Sequence, residues 1–252
     1  LDEPALAALP DFRTIYFMAG VKFGTASDRE ALRLFNEEMP ARVAARFPAA
    51  RFAVFSTGCV YPFSTPESGG SSEEEEPAPT GEYAASCLQR EKAFVAASTS
   101  HGTLVVIIRL HYTVEFRYGV LLDIAEKVNA GEPLDVTMGH VNVIWQRDAV
   151  DHVVQSIRLA ASPAAYINVA GTPLVPVREL AGRFGRLLGR SPVLTGREEP
   201  TAWLNNASRA HQLFGAPRTS LEEAVAWTAA WVAQGGETLG KPTMFERRDG
   251  RF

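Results

Sequence analysis

The 252-residue sequence is poor in cysteine, with only Cys59 and Cys87. Two thiols cannot build a disulfide framework, so a reducing, cytoplasmic compartment is the expected setting. The sequence also lacks a basic excess: 25 Lys and Arg stand against 29 Asp and Glu, a net charge of −4. That composition excludes nucleic acid as an expected partner. No apolar run approaches the roughly 20 residues of a membrane span, and no secretory pattern opens the sequence. The five histidines show no metal-ligand spacing, so no metal site is expected.

What is present is an apolar fraction of 46 %, enough for one sizeable core or a large domain with a small partner lobe. Short apolar runs alternate with helix-period segments. Thr14 to Met18, Arg51 to Ser56, Leu104 to Leu110 and Tyr166 to Val169 read as strands. Leu104 to Leu110 is nearly continuous in β-branched residues, as expected of a strand covered on both faces. Helices are expected between them, one carrying the stripe Leu32, Phe35, Met39, Val43 and Phe47, another running from about Glu82 to Ala97. Alternation of this kind predicts a parallel sheet with helices on both faces, whose ligands bind at the C-terminal rim of the strands. The long segment from Pro62 to Thr80 reads as a surface loop or lid, with the run Glu73 to Glu76 as a solvated tip.

The strand RFAVFS delivers Ser56 and Thr57 to that rim, and Tyr83 follows at a helix start. A phenol there can exchange a proton with a substrate hydroxyl while the threonine hydroxyl holds the same oxygen. On spacing alone a packing tyrosine and a strand-end cap are the favoured readings.

Several motifs, in order, resemble the extended short-chain dehydrogenase/reductases, the NAD-dependent epimerase/dehydratase family. STGCVYP resembles their STxxVYG strand, and PTGEYAASCLQRE their YxxSKxxxE helix. MAGVKFG, Asn36, the run Arg109-Leu-His-Tyr, WQRDAVDHV and YINVAG also fall where that family has similar segments. The resemblance implies a Rossmann-like parallel sheet with helices on both faces and a smaller C-terminal substrate-binding lobe. Residues 1–110 with 141–168 would form the dinucleotide-binding part, and 111–140 with 169–252 the lobe. It implies NAD or NADP as cofactor, a sugar or nucleotide sugar as substrate, and a homodimer. Thr57 and Tyr83 would be catalytic. Ala19, Gly20, Val21, Lys22, Ser56, Tyr83 and Cys87 would contact cofactor, and Thr57, His111, Tyr112 and Arg117 would contact substrate.

Two departures stand out. The sequence has no GxxGxxG turn after an opening strand, the family's phosphate site, so the N-terminal strands are expected to be missing and the parent protein longer. Cys87 also stands where the family has the lysine one turn after its tyrosine. That lysine binds the nicotinamide ribose and lowers the phenol pKa. Lys22 is the expected partial replacement, with Arg90 and Lys92 read as lying off the Tyr83 face. A catalytically silent nucleotide-binding member of the same fold is the alternative expectation.

Overall fold

A computed structural model describes residues 3–21 and 29–251; Lys22 lies outside the described residues. The principal sheet has four parallel strands in the order β1-β2-β3-β8. They are β1 (Thr14–Phe17), β2 (Arg51–Thr57), β3 (Leu104–Leu110) and β8 (Ala165–Val169). The short strands between β3 and β8 are β4 (Thr113–Val114), β5 (Pro133–Asp135), β6 (His140–Val141) and β7 (Ile144–Trp145); β9 (Val175–Pro176) and β10 (Val193–Thr195) follow. The helices are α1 (Glu3–Ala7), α2 (Arg29–Leu32), α3 (Met39–Arg46), α4 (Glu82–His101), α5 (Val120–Ala130), α6 (Gln146–Ser156), α7 (Val177–Leu188), α8 (Ser208–Phe214) and α9 (Leu221–Ala233).

Alternation along the strands divides the side chains between two apolar layers. Phe52, Val54, Val105 and Ile107 pack with Met39, Val43 and Phe94 on the face covered by α3 and α4. Ala53, Val106, Ile108 and Ile167 pack with Ala149, Val153 and Ala210 on the face covered by α6 and α8. Val105 to Ile108 are fully buried, which explains the unbroken β-branched run. A third apolar cluster joins α5, α7 and α9 around Leu134, Phe184 and Trp203.

The helix predicted to carry the Leu32–Phe47 stripe is interrupted by a π-helical turn, Arg33–Glu38, where the Met39 N–H reaches Leu34 O, five residues back. Pro40 follows directly. It has no N–H to donate to the Asn36 carbonyl, and its ring crowds that carbonyl, so the turn widens there. The extra residue rotates the face. Asn36 becomes fully buried while Phe35 is exposed, which corrects the predicted stripe at that one position.

The loop predicted as a lid is pinned. Ser64 and Ala202 exchange backbone hydrogen bonds of 2.8 and 2.9 Å, and Ser71 N–H donates to Leu204 O at 2.8 Å. Nor is all of its acidic run solvated. A Glu73 carboxylate oxygen accepts from Asn168 N–H at 2.8 Å, and Glu74 to Glu76 alone are exposed. The C-terminal residues cross the lobe. Thr243 donates its N–H and hydroxyl to Asp123 at 2.7 and 2.5 Å, Glu246 pairs with Lys127, and Arg248 lies 4.1 Å over the Phe63 ring.

Candidate active site

Strand β2 ends at Thr57 beside Leu110 of β3. A single 3-10 turn, Gly58–Val60, then bends the chain, with Thr57 Oγ1 accepting from Cys59 N–H at 3.2 Å. Glycine is required at that bend, because a Cβ on Gly58 would sit 2.6 Å from Asn205 Nδ2 and 2.7 Å from His111 Nδ1. Tyr83 lies in the first turn of α4.

These elements wall a cavity of about 220 Å³ at the C-terminal rim of the sheet. Ser56, Thr57, Cys59, Tyr83, His111, Tyr112, Thr113 and Tyr118 line it, together with Trp203 and the tail residues Thr243 to Phe245. Five of the expected site residues therefore meet: Ser56, Thr57, Tyr83, His111 and Tyr112. The tail residues and Trp203 escaped sequence reading. Only the third-cluster packing of Trp203 and Phe245 marks them, and no local motif does.

Behind the cavity lies a buried polar network. Arg109 and Glu91 form a two-pronged ion pair, Nε to Oε1 at 3.0 Å and Nη2 to Oε2 at 2.7 Å, with side chains only 3 % and 2 % exposed. Ser56 Oγ donates to the same carboxylate at 2.5 Å. Arg109 Nη1 donates to Tyr61 OH at 2.8 Å, and that hydroxyl donates to Asn168 Oδ1 at 2.9 Å. The guanidinium also stacks 4.7 Å from the rings of Tyr61 and Tyr166. The network ties β2, α4, β3 and β8 together immediately behind Thr57.

Burial holds the Tyr83 phenol well above its ordinary pKa, and the nearby Cys87 and Cys59 thiols add to that effect. Arg90 opposes it. Cys87 is fully buried among Val60 and Tyr61 and hydrogen-bonds Tyr83; its own pKa is raised, chiefly by burial. Burial likewise pushes Cys59 up to about 11. Both cysteines are free thiols. Cys87 does not line the cavity, so its position is that of a small packing residue. His111 donates its Nε2–H to Trp203 O, 3.1 Å away, and burial pushes its pKa down to about 3.

Arg117 stands outside the cavity, because Glu115 N–H to Tyr118 O closes a tight reversal and places Arg117 at its tip, paired with Glu115 on the surface. Trp145 packs against Phe116 and Trp227 and does not line the cavity. Arg90 does not lie off the Tyr83 face. Positions 83, 87 and 90 are spaced four and then three apart, which shares one face. Its guanidinium is buried, donates to Phe55 O at 2.9 Å and bonds Asn36 Oδ1. The Arg90 Nε has no protein partner.

The residues at the end of β1 fit one end of a nicotinamide dinucleotide. Asn36 holds Val21 through its N–H at 3.0 Å, and a Cβ on Gly20 would collide with the Arg90 guanidinium, so this exposed backbone is fixed beside an unfilled Nε donor. Ser56, Thr57 and Tyr83 offer hydroxyls on the adjoining side. The pyrophosphate end has no glycine-rich turn in the sequence.

Four parallel strands with helices on both faces and a cavity at their C-terminal ends define the class as a Rossmann-like α/β fold. The NAD dependent epimerase/dehydratase family matches residues 5–167, and the chain belongs to that family. No curated protein matches the sequence. Among solved structures, UDP-glucuronic acid 4-epimerase from Bacillus cereus in complex with NAD is 17 % identical with a TM-score of 0.76, covering 89 % of this chain and 75 % of its own. MoeE5 in complex with UDP-glucose and NAD is 18 % identical, TM-score 0.72, covering 91 % and 84 %. RMD from Pseudomonas aeruginosa complexed with NADPH is 18 % identical, TM-score 0.72, covering 90 % and 82 %. At these identities the likeness concerns the fold.

Proposed function

We propose that the protein is an NAD(P)-dependent epimerase, dehydratase or dehydrogenase of a nucleotide sugar, with Tyr83 as general acid/base and Thr57 as the hydroxyl that orients the reacting oxygen. The observation that carries this reading is that Thr57 and Tyr83 line one cavity at the strand C-terminal rim. Of the solved structures named above, one holds UDP-glucose with NAD and the others NAD or NADPH, which supports the substrate and cofactor classes.

In this reading Tyr83 rests as a neutral phenol, because burial outweighs the Arg90 field. It is therefore ready to give a proton to a substrate oxygen, and its use as a base requires a nearby positive charge. The bound nicotinamide would take up and return the hydride. Thr57, whose hydroxyl already accepts from Cys59 N–H, keeps its own proton free to donate to the substrate oxygen. Trp203 and the tail residues exclude water from the far side. Residues 111–140 and 169–252 would serve as the sugar lobe, and pairing through the helices around α3 and α4 would give a cytoplasmic homodimer.

Cys87 favours a second reading, a silent nucleotide-binding member, because a neutral thiol cannot lower the phenol pKa. One experiment separates the two. The full-length protein is assayed with NAD and NADP against a panel of nucleotide sugars, and cofactor affinity is measured by calorimetry. Turnover that falls about 10²–10⁴-fold in Tyr83→Phe, with cofactor affinity kept, supports the enzyme. Cofactor binding with no turnover by the parent supports the silent member.

A further inference from the structure

Arg90 is 6 % exposed and is held by neutral oxygens alone. Its Nη1 donates to Phe55 O at 2.9 Å and its Nη2 to Asn36 Oδ1. Glu91, the next residue, is engaged by Arg109, and among the described residues no carboxylate pairs with Arg90. Buried charges are normally paired. One that is not acts over a longer distance than a surface charge, because its surroundings screen it less, and such groups collect at functional sites. The guanidinium is held in a built seat. The π-helical turn before Pro40 turns Asn36 inward. Asn36 Oδ1 accepts from Arg90 and from Val21 N–H, and its Nδ2 donates to Ser86 Oγ at 2.8 Å. Ser86 Oγ donates in turn to the Tyr83 carbonyl at 2.8 Å. Gly20 leaves the space that the guanidinium fills. Positions 83, 87 and 90 share one face of α4, so the charge stands on the Tyr83 and Cys87 side of the helix.

The other groups around Tyr83 are neutral or already paired. Burial raises the Cys87 thiol on α4 and pushes Cys59, after β2, up to about 11. After β3, burial holds His111 down at about 3, raises Tyr112 and pushes Tyr118 up to about 12. Glu91 and Arg109 offset each other. On the π-helical turn, Arg33 pairs with Glu38 and Glu37 is exposed. Burial, the largest influence, raises both Tyr83 and Cys87, and the Arg90 field lowers both.

We propose that Arg90 supplies the fixed positive charge that Cys87 cannot, acting through Tyr83 as a positioning residue for proton transfer. This rests on the acid/base reading of Tyr83 above. Arg90 does not line the cavity and acts by its field. A cation favours the phenolate, so its removal moves the phenol pKa upward, and the alkaline-rising limb of turnover moves with it.

The test uses Arg90→Gln and Arg90→Lys in the NAD-loaded full-length protein, with two readouts. The Tyr83 ring is titrated by NMR with isotope-labelled tyrosine, its signal assigned by its loss in Tyr83→Phe. Reduction of the bound NAD by UDP-glucose is followed across pH. Arg90→Gln is expected to move the phenol titration and the limb upward by about one unit, a roughly tenfold slower reduction at a fixed pH below the limb. Arg90→Lys, which keeps the charge, should leave the phenol titration where the parent has it. Adding Cys87→Lys to Arg90→Gln should bring the limb back down, a rescue that a purely structural role for Arg90 does not give. Arg90→Met, whose unbranched stem keeps the helix packing, decides the matter if Arg90→Gln does not fold. An unmoved phenol titration in a folded Gln or Met variant overturns the proposal, as does a uniform loss of rate with an unmoved limb. A parent phenol that never ionises in the folded protein overturns it too. Absence of NAD reduction by the parent overturns the nucleotide-sugar reading instead, and the phenol titration still decides the role of Arg90.

Discussion

Glu91→Gln tests whether the buried network behind Thr57 stabilises the sheet. The carboxylate accepts two hydrogen bonds from Arg109 and one from Ser56. Glutamine keeps one acceptor oxygen but turns an NH₂ toward a guanidinium that can only donate. Arg109, 3 % exposed, is left as a buried charge without its counterion, a loss of about 3–5 kcal/mol. For a chain of this size each kcal/mol moves the midpoint by about 2–4 °C, so the melt should fall by roughly 10 °C. Urea denaturation and thermal melts of parent and variant measure it. Replacing the pair together, Glu91→Leu with Arg109→Met, should cost less than Glu91→Gln alone, since no uncompensated charge remains. A loss below about 1 kcal/mol in Glu91→Gln would falsify the claim that the pair is a structural tie.

Two further outcomes follow from the same geometry. Burial pushes the Asp123 carboxyl up to about 6 from 3.8, against the opposing effect of its two hydrogen bonds from Thr243. The protonated acid is therefore favoured in the fold. Stability from this group is fully present below about pH 4 and is lost as pH rises through 6, at most about 3 kcal/mol at 1.36 kcal/mol per unit. Asp123→Asn should flatten that slope between pH 4 and 6, and an unchanged slope in urea titrations across this range would assign it elsewhere. Cys87→Lys should shift the alkaline-rising limb of turnover downward by about one to three units, because a cation one turn from Tyr83 favours the phenolate. An unmoved pH profile in a folded Cys87→Lys variant would show that this position does not act on Tyr83.

Much of this architecture was legible because each strand is a short apolar run bounded by turn residues. Arg51 to Thr57 and Leu104 to Leu110 are recognisable by composition alone. The meeting of Thr57 with Tyr83 was legible from motif order, since a parallel sheet sends both to one rim. Three features were hidden for physical reasons. The π-helical turn before Pro40 breaks the 3.6-residue period and exchanges Phe35 for Asn36, an effect that a fixed helical stripe misses. Arg90 is seven positions from Tyr83, nearly two full turns, so it shares the face that it was read as leaving. The tail wall depends on Asp123, Lys127, Thr201 and Phe63, partners 47 to 185 residues away, separations that no local pattern reports. Arg117 shows the converse, an expected substrate contact that a tight reversal places at the surface beside Glu115.

The central claim is that Tyr83 moves the proton whose departure lets a nucleotide sugar pass hydride to nicotinamide. The most direct measurement is a single-turnover experiment: the NAD-loaded full-length protein is mixed with UDP-glucose, and reduced nicotinamide is followed by its absorbance. The account predicts a transient of reduced cofactor in the parent, slowed at least about a hundredfold in Tyr83→Phe at equal cofactor occupancy. An identical transient in Tyr83→Phe would contradict the account.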